Sequence, residues 1–179
     1  MKIGTRRVYS GRVLDLDIDS VRFPDGSVGE LEMIRHSGAS AVVPILPGGT
    51  AADPQVLLIR QFRHAADGPI WEVPAGRLGP GETPEACAHR ELVEEAGVRA
   101  GRLDRLTTIF TTPGFTDERI HLFAARDLTP TDHHREADEF IETHRLPLSR
   151  ALQMVRRGEI SDGKTAVSLL YFSQFGLLV

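Results

Sequence analysis

At 179 residues, 41% of them hydrophobic and 26% charged, the chain is sized and composed for one soluble globular domain, or one domain with a small appendage. A formal net charge of −4 excludes a global basic field for nucleic acid, and no apolar run approaches the ~18 residues of a membrane span. The single cysteine, Cys87, excludes an internal disulfide framework; with no apolar segment at the N-terminus, the expectation is a cytoplasmic protein.

In chain order, residues 6–21 alternate, with Val13, Asp15, Asp17 and Asp19 interleaved with Leu14, Leu16 and Ile18. That period predicts one half-buried strand whose apolar face includes Val13, Leu14, Leu16 and Ile18. "FPDGSVG" at 23–29 reads as a turn, and Leu31 to Ile34 begins a return strand. "HSGAS" at 36–40 marks a boundary, so residues 1–38 form a small N-terminal β element and residues 39–179 the main domain. "AVVPIL" and "VLLIR" are short continuous apolar runs, as buried strands are, with the loop "PGGTAADPQ" between them. A helix is predicted over 84–96, then strands over 103–110 and 120–125, a polar loop over 129–140 and a strand over 140–146. Two further helices fit "LSRALQMVRRGE" and "GKTAVSLLYFSQF". The layout is α/β, with helices around a sheet.

The helix over 84–96 carries the densest chemistry. Thr83 is placed to cap it, Pro84 suits its first position, Glu85 sits well against the dipole, and Gly97 ends it. Ala88, Leu92 and Ala96, spaced by four, make its buried stripe. Glu91, Glu94 and Glu95 project from adjacent turns, and Arg90 can pair with Glu94 at i,i+4. Like charges at this spacing cost a few tenths of a kcal/mol, and late in a helix the dipole disfavours anions. A divalent cation offsets that repulsion. Oxygen ligands alone suit Mg²⁺, with Mn²⁺ as the alternative, and no histidine or cysteine stands at a spacing suited to zinc.

The stretch "GRLGPGETPEACAHRELVEEAGV" also resembles the signature of the Nudix hydrolase family. Gly76, Glu82, Arg90, Glu91, Leu92, Glu94, Glu95, Gly97 and Val98 fill its specified positions without a departure. The resemblance implies an α/β/α sandwich with a mixed sheet and the signature as loop–helix–loop. It implies Mg²⁺-dependent hydrolysis of a nucleoside diphosphate linked to another moiety. By that likeness Glu91 and Glu95 are metal ligands, and Glu94 a further ligand or water-orienting group. Arg90 orients the carboxylates, Glu82 is a weaker supporting acid, and the carbonyl of Ala75 is an additional ligand.

Outside the signature, Pro113 in "TTPGFTDERIHLF", "IRQFRHA" at 59–65 and "WEVPAG" at 71–76 resemble the ADP-ribose pyrophosphatase branch. That branch cleaves ADP-ribose to AMP and ribose 5-phosphate. The alternatives are hydrolysis of GDP-mannose or another nucleotide sugar, and a non-catalytic ADP-ribose-binding sensor, against which the intact glutamates argue. The likeness implies a homodimer in which residues 1–38 line the partner's substrate site. It also places the water-activating base in "HREADEFIE", residues 134–142, where Ala137 stands in place of an expected acid. Glu139 matches best, as base or metal ligand, and Glu136 is the other candidate. Candidate substrate-binding residues are Arg63, Glu72 and Gly114, the last in a turn that needs no further role to explain it. Trp71 reads as a stacking surface or a core residue, Cys87 as packing, and "DHHR" at 132–135 as a solvated loop.

Overall fold

In the computed structural model, which describes residues 1–132 and 141–176, the N-terminal strands form a sheet of their own. β1 (Lys2–Ser10), β2 (Asp15–Arg22) and β3 (Val28–Arg35) pair antiparallel in that order. The one strand expected over 6–21 is therefore two. The chain reverses between them at Gly11, whose N–H donates to the carbonyl of Leu14 at 2.9 Å. A Cβ at that glycine would lie 2.6 Å from the ring of the exposed Tyr9, which would have to turn aside, and 3.1 Å from the Leu14 carbonyl, so the reversal favours a residue without a side chain there.

The expected apolar inner face is also corrected. Val13 is exposed and Leu16 and Ile18 are only half-buried, whereas Asp17 and Asp19 are buried. Ion pairing accounts for the inversion, since a carboxylate is buried at tolerable cost only with partners. Arg35 of β3 bonds Asp17 at 3.1 Å and also reaches Asp19. Arg7 of β1 reaches Asp15 at 2.6 Å and bonds Asp17. The hydrogen bond from Arg7 holds the Asp17 carboxyl below the ordinary range, and that from Arg35 does so for Asp19.

The main domain follows with β4 (Ala39–Gly49), β5 (Pro54–Arg63), β6 (Gly68–Glu72), β7 (Ala75–Arg77), α1 (Pro84–Ala96), β8 (Val98–Phe110), β9 (Arg119–Pro130), β10 (Ile141–Pro147), α2 (Leu148–Arg156) and α3 (Gly163–Phe175). Its sheet runs β10-β5-β4-β9-β8, with β6 on β5 and β7 on β4. β4 and β9 are parallel while the other pairings are antiparallel, so the sheet is mixed. Alternate residues of β4 point to opposite faces and build two cores. Ala41 and Val43, with Val56 and Leu58, pack under α2 and α3 through Leu148, Ala151, Met154, Leu169 and Phe172. Val42, Leu57 and Ile59 pack on the other face against Ala88, Leu92 and Ala96 of α1. Helices thus cover both faces, giving the α/β/α arrangement.

Two sets of contacts dock the N-terminal sheet beside the site. Ile34 exchanges backbone hydrogen bonds with the loop after β8, its N–H to Phe115 at 2.8 Å and its carbonyl from Asp117 at 3.2 Å. Arg77 of β7 donates to the carbonyl of Val13 at 3.1 Å.

Candidate active site

The helix α1 forms as its sequence dictates. The Thr83 hydroxyl accepts from the Ala86 N–H at 3.2 Å, Pro84 occupies the first turn, and Gly97 closes the helix at φ 63°. Its buried stripe contains Cys87, Glu91 and Glu95 besides Ala88, Leu92 and Ala96. Glu91 is only 6% exposed and Glu95 only 3%, one turn apart, while Glu94 stays half-buried at the rim.

Arg90 organises this acidic turn. Its Nη1 donates to Glu91 at 2.5 Å and to Glu94 at 2.9 Å. Its Nε and Nη2 grip both oxygens of Glu82 at 2.9 and 3.0 Å, and Nη2 also reaches the carbonyl of Arg77 at 2.9 Å. Glu82 further accepts from the Gly79 N–H at 2.8 Å, and Arg90 holds its carboxyl below the ordinary range. Glu82 is thus the residue that anchors Arg90.

The two buried glutamates face β7. Glu95 accepts from the Ala75 N–H at 2.9 Å. A Cβ on Gly76 would fall 1.8 Å from Glu91 Oε1, so only glycine lets that carboxylate lie against the strand. The donors are all hard oxygens. Among the described residues no group of three or more His, Cys, Asp or Glu side chains is placed to hold a metal ion. Two buried carboxylates one turn apart do fit Mg²⁺, which commonly takes one or two carboxylates and completes its shell with water and substrate phosphate.

A cavity of about 600 Å³ opens beside this turn, and its lining includes Ala75, Gly76, Arg63, Phe110, Glu118 and Lys164. Glu72, 1% exposed, receives Arg63 bidentately at 2.6 and 2.9 Å and also the ammonium of Lys164. Burial pushes the Glu72 carboxyl up, but Arg63 and Lys164 outweigh it and hold the group below the ordinary range. Glu72 is therefore committed to two cations and is absent from the cavity lining. Gly114 also stands off the lining, in the loop whose ends, Thr111 and Glu118, belong to it.

Trp71 is half-buried, packs on the core and meets His144 edge-on at 4.7 Å, which is a structural role. Cys87 is buried, and desolvation with the nearby Glu91 pushes its thiol up to about 11, so it is a packing residue. Glu136, Glu139 and the histidines of "DHHR" lie outside the described residues. Lys164 is a charged cavity residue that sequence reasoning missed, as it did Glu118. "SDGKT" reads only as a helix start, with Asp162 capping Thr165 at 3.0 Å, and nothing local announces a partner in Glu72.

Residues 35–166 match the family model described as the NUDIX domain. The chain belongs to the Nudix family. It is 38% identical over 171 residues to the ADP-ribose pyrophosphatase of Bacillus subtilis (strain 168), covering 94% of this chain and 90% of that protein. The GDP-mannose pyrophosphatase of Klebsiella pneumoniae is 42% identical over 135 residues, covering 69% of this chain and 66% of that one. Among solved structures, an ADP compounds hydrolase superposes with a TM-score of 0.82 at 20% identity, over 98% of this chain and 92% of the other, and shares the fold. The intact signature on α1 and these relatives make the chain a Nudix hydrolase.

Proposed function

We propose that this Nudix hydrolase cleaves the diphosphate bond of ADP-ribose, giving AMP and ribose 5-phosphate, or that of a closely related nucleoside diphosphate sugar. The observation that carries the reading is the pair of buried glutamates, Glu91 and Glu95, set against Ala75 and Gly76 where these line a cavity shared with Arg63 and Lys164. A diphosphate needs negative charge offset on the carboxylate side and cations on the other. Likeness to the ADP-ribose pyrophosphatase of B. subtilis supports ADP-ribose, and likeness to the GDP-mannose pyrophosphatase of Klebsiella supports GDP-mannose as the second reading.

Glu91, Glu95 and the Ala75 carbonyl would hold Mg²⁺ or Mn²⁺, with Glu94 and Glu139 as further candidates. The ion, when bound, supplies charge neutralisation at phosphate oxygens and a more acidic water. Arg90 orients Glu91 and Glu94, Arg63 binds substrate phosphate, and Gly114 gives the loop after β8 its shape. The general base is assigned to Glu139, with Glu136 as the alternative, both outside the described residues. The test is a panel of ADP-ribose, GDP-mannose, UDP-glucose, diadenosine polyphosphate and a nucleoside triphosphate, each with Mg²⁺, with products identified. We expect the highest kcat/KM on ADP-ribose. Cleavage of the triphosphate alone, or of none, would overturn the reading.

The N-terminal β element belongs to the same proposal as a dimerisation unit that completes the partner's site. Every residue of β1 is exposed, including Ile3, Val8 and Tyr9, and β3 exposes Val28 and Leu31. An uncovered edge strand of this length invites a partner. Light scattering at micromolar concentration is expected to give twice the chain mass, and a clean value near 19.7 kDa would reject the dimer. Among the described residues no helix is long and apolar enough to cross a membrane, and the single unpaired Cys87 suits the cytoplasm.

A further inference from the structure

We propose that Asp117 and Arg35 are positioning residues for the substrate cavity, clamping the loop over 111–118 to the N-terminal sheet of the same chain. The inference rests on the reading of that cavity as a nucleoside diphosphate site. The loop joins β8 to β9, and its two ends, Thr111 and Glu118, line the cavity. They meet across its neck, where the Thr111 hydroxyl donates to Glu118 at 2.9 Å. The tip has no core of its own. Phe115 is 50% exposed, and a Cβ on Gly114 would meet no described atom within 4 Å. A loop without apolar packing takes its position from its polar bonds, and here those bonds lead to the end of β3.

Asp117 binds three successive residues there. Its N–H donates to the Ile34 carbonyl at 3.2 Å, its Oδ2 accepts from Arg35 Nη1 at 3.2 Å, and its Oδ1 accepts from the His36 N–H at 2.9 Å. The Ile34 N–H adds a bond to the Phe115 carbonyl at 2.8 Å. Arg35 is the fixed member of the clamp. Its Nε and Nη2 are held by Asp17 and Asp19, buried carboxylates that cannot leave a cation at low cost. Arg7 and Thr5 hold those two aspartates in turn. Nη1 is then the edge of the guanidinium given to the loop. His36 and Glu118 flank the clamp in sequence, and both line the cavity. A shift of Asp117 against Arg35 therefore moves a residue of the cavity wall, and a wall held in place before substrate arrives saves the entropy of ordering it on binding.

The test is steady-state hydrolysis of ADP-ribose at saturating Mg²⁺ by the full chain and by Asp117→Ala, Asp117→Asn, Arg35→Met and the double variant Arg35→Met with Asp117→Asn. Melting temperature, light-scattering mass and backbone hydrogen exchange of the ligand-free proteins are recorded alongside. A wall held less well weakens ground-state and transition-state binding alike, so KM should rise about tenfold in Asp117→Ala with kcat within about threefold. Asparagine keeps an acceptor for the His36 N–H but loses the charge facing Arg35; a part-exposed pair is weak, so KM should rise about threefold. In the Arg35→Met background that same change should add nothing, because the two residues act as a pair. Exchange over 111–118 should quicken in Asp117→Ala while that of α1 stays as in the wild type. Should Arg35→Met fail to fold, having stripped a cation from two buried carboxylates, the two Asp117 variants carry the test by themselves. Wild-type KM with unchanged exchange in Asp117→Ala overturns the proposal. So do losses that follow the mass or the melting temperature, which would make the contact one of assembly or stability. Inactivity of the wild type on ADP-ribose would strike the substrate reading instead, and exchange over 111–118 would then decide the clamp alone.

Discussion

Glu95→Gln is expected to lose about 10³-fold in kcat on ADP-ribose at saturating Mg²⁺ while melting within a few degrees of the wild type. The amide oxygen of glutamine can still accept from the Ala75 N–H, so the hydrogen bond that holds this side chain to β7 survives. What changes is charge. A carboxylate buried to 3% exposure gives a hard cation both a ligand and a counter-charge, and an amide gives only a weak ligand. Losing ~4 kcal/mol of transition-state stabilisation corresponds to that 10³-fold fall. The measurements are steady-state hydrolysis with and without EDTA, and thermal melts. Near-normal turnover in the variant, or substantial hydrolysis by the wild type in EDTA, would remove the signature carboxylates from the chemistry.

The parts of this molecule that its sequence makes legible are those set by near neighbours. The helix α1 runs over the expected residues because Thr83, Pro84 and Gly97 act within one turn of its ends. The Arg90–Glu94 pair follows from helical spacing alone. The bond from Arg90 to Glu82 reaches back eight positions, past the start of α1 into the loop before it, and only family resemblance pointed to Glu82 at all.

Elsewhere the deciding partner is remote. Alternation along residues 15–22 separates two faces of β2, but it cannot say which is inside. Here Arg7 and Arg35 turn the aspartates inward. β6 and β7 have five and three residues, too short for a period to register, yet they carry Glu72 and Ala75 to the site. Lys164 meets Glu72 across 92 positions, a contact that no local pattern encodes.

Arg90 carries the second large effect, because its position is over-determined. All five guanidinium N–H donors meet an oxygen, on Glu82 twice and on Glu91, Glu94 and the Arg77 carbonyl once each. Arg90→Met keeps the apolar stem and removes every one of these bonds. Residues that hold metal ligands in place commonly contribute 10- to 100-fold, so kcat/KM is expected to fall about 10²-fold. In EDTA the variant also leaves the acidic turn without its shared cation. That loss is roughly 2 kcal/mol after discounting for the partial exposure of Arg90 and Glu94, or about 5 °C in melting for a chain of this size. Mg²⁺ should then raise the melting temperature of Arg90→Met more than that of the wild type, because the ion takes over the electrostatic part of the guanidinium's work. Arg90→Lys separates charge from geometry. An ammonium has three donors and no planar fork, so it should recover much of the melting temperature and little of the turnover. Equal melting of wild type and Arg90→Met in EDTA, or full activity in Arg90→Lys, would mean that the glutamates are held by other contacts and that the guanidinium network is incidental.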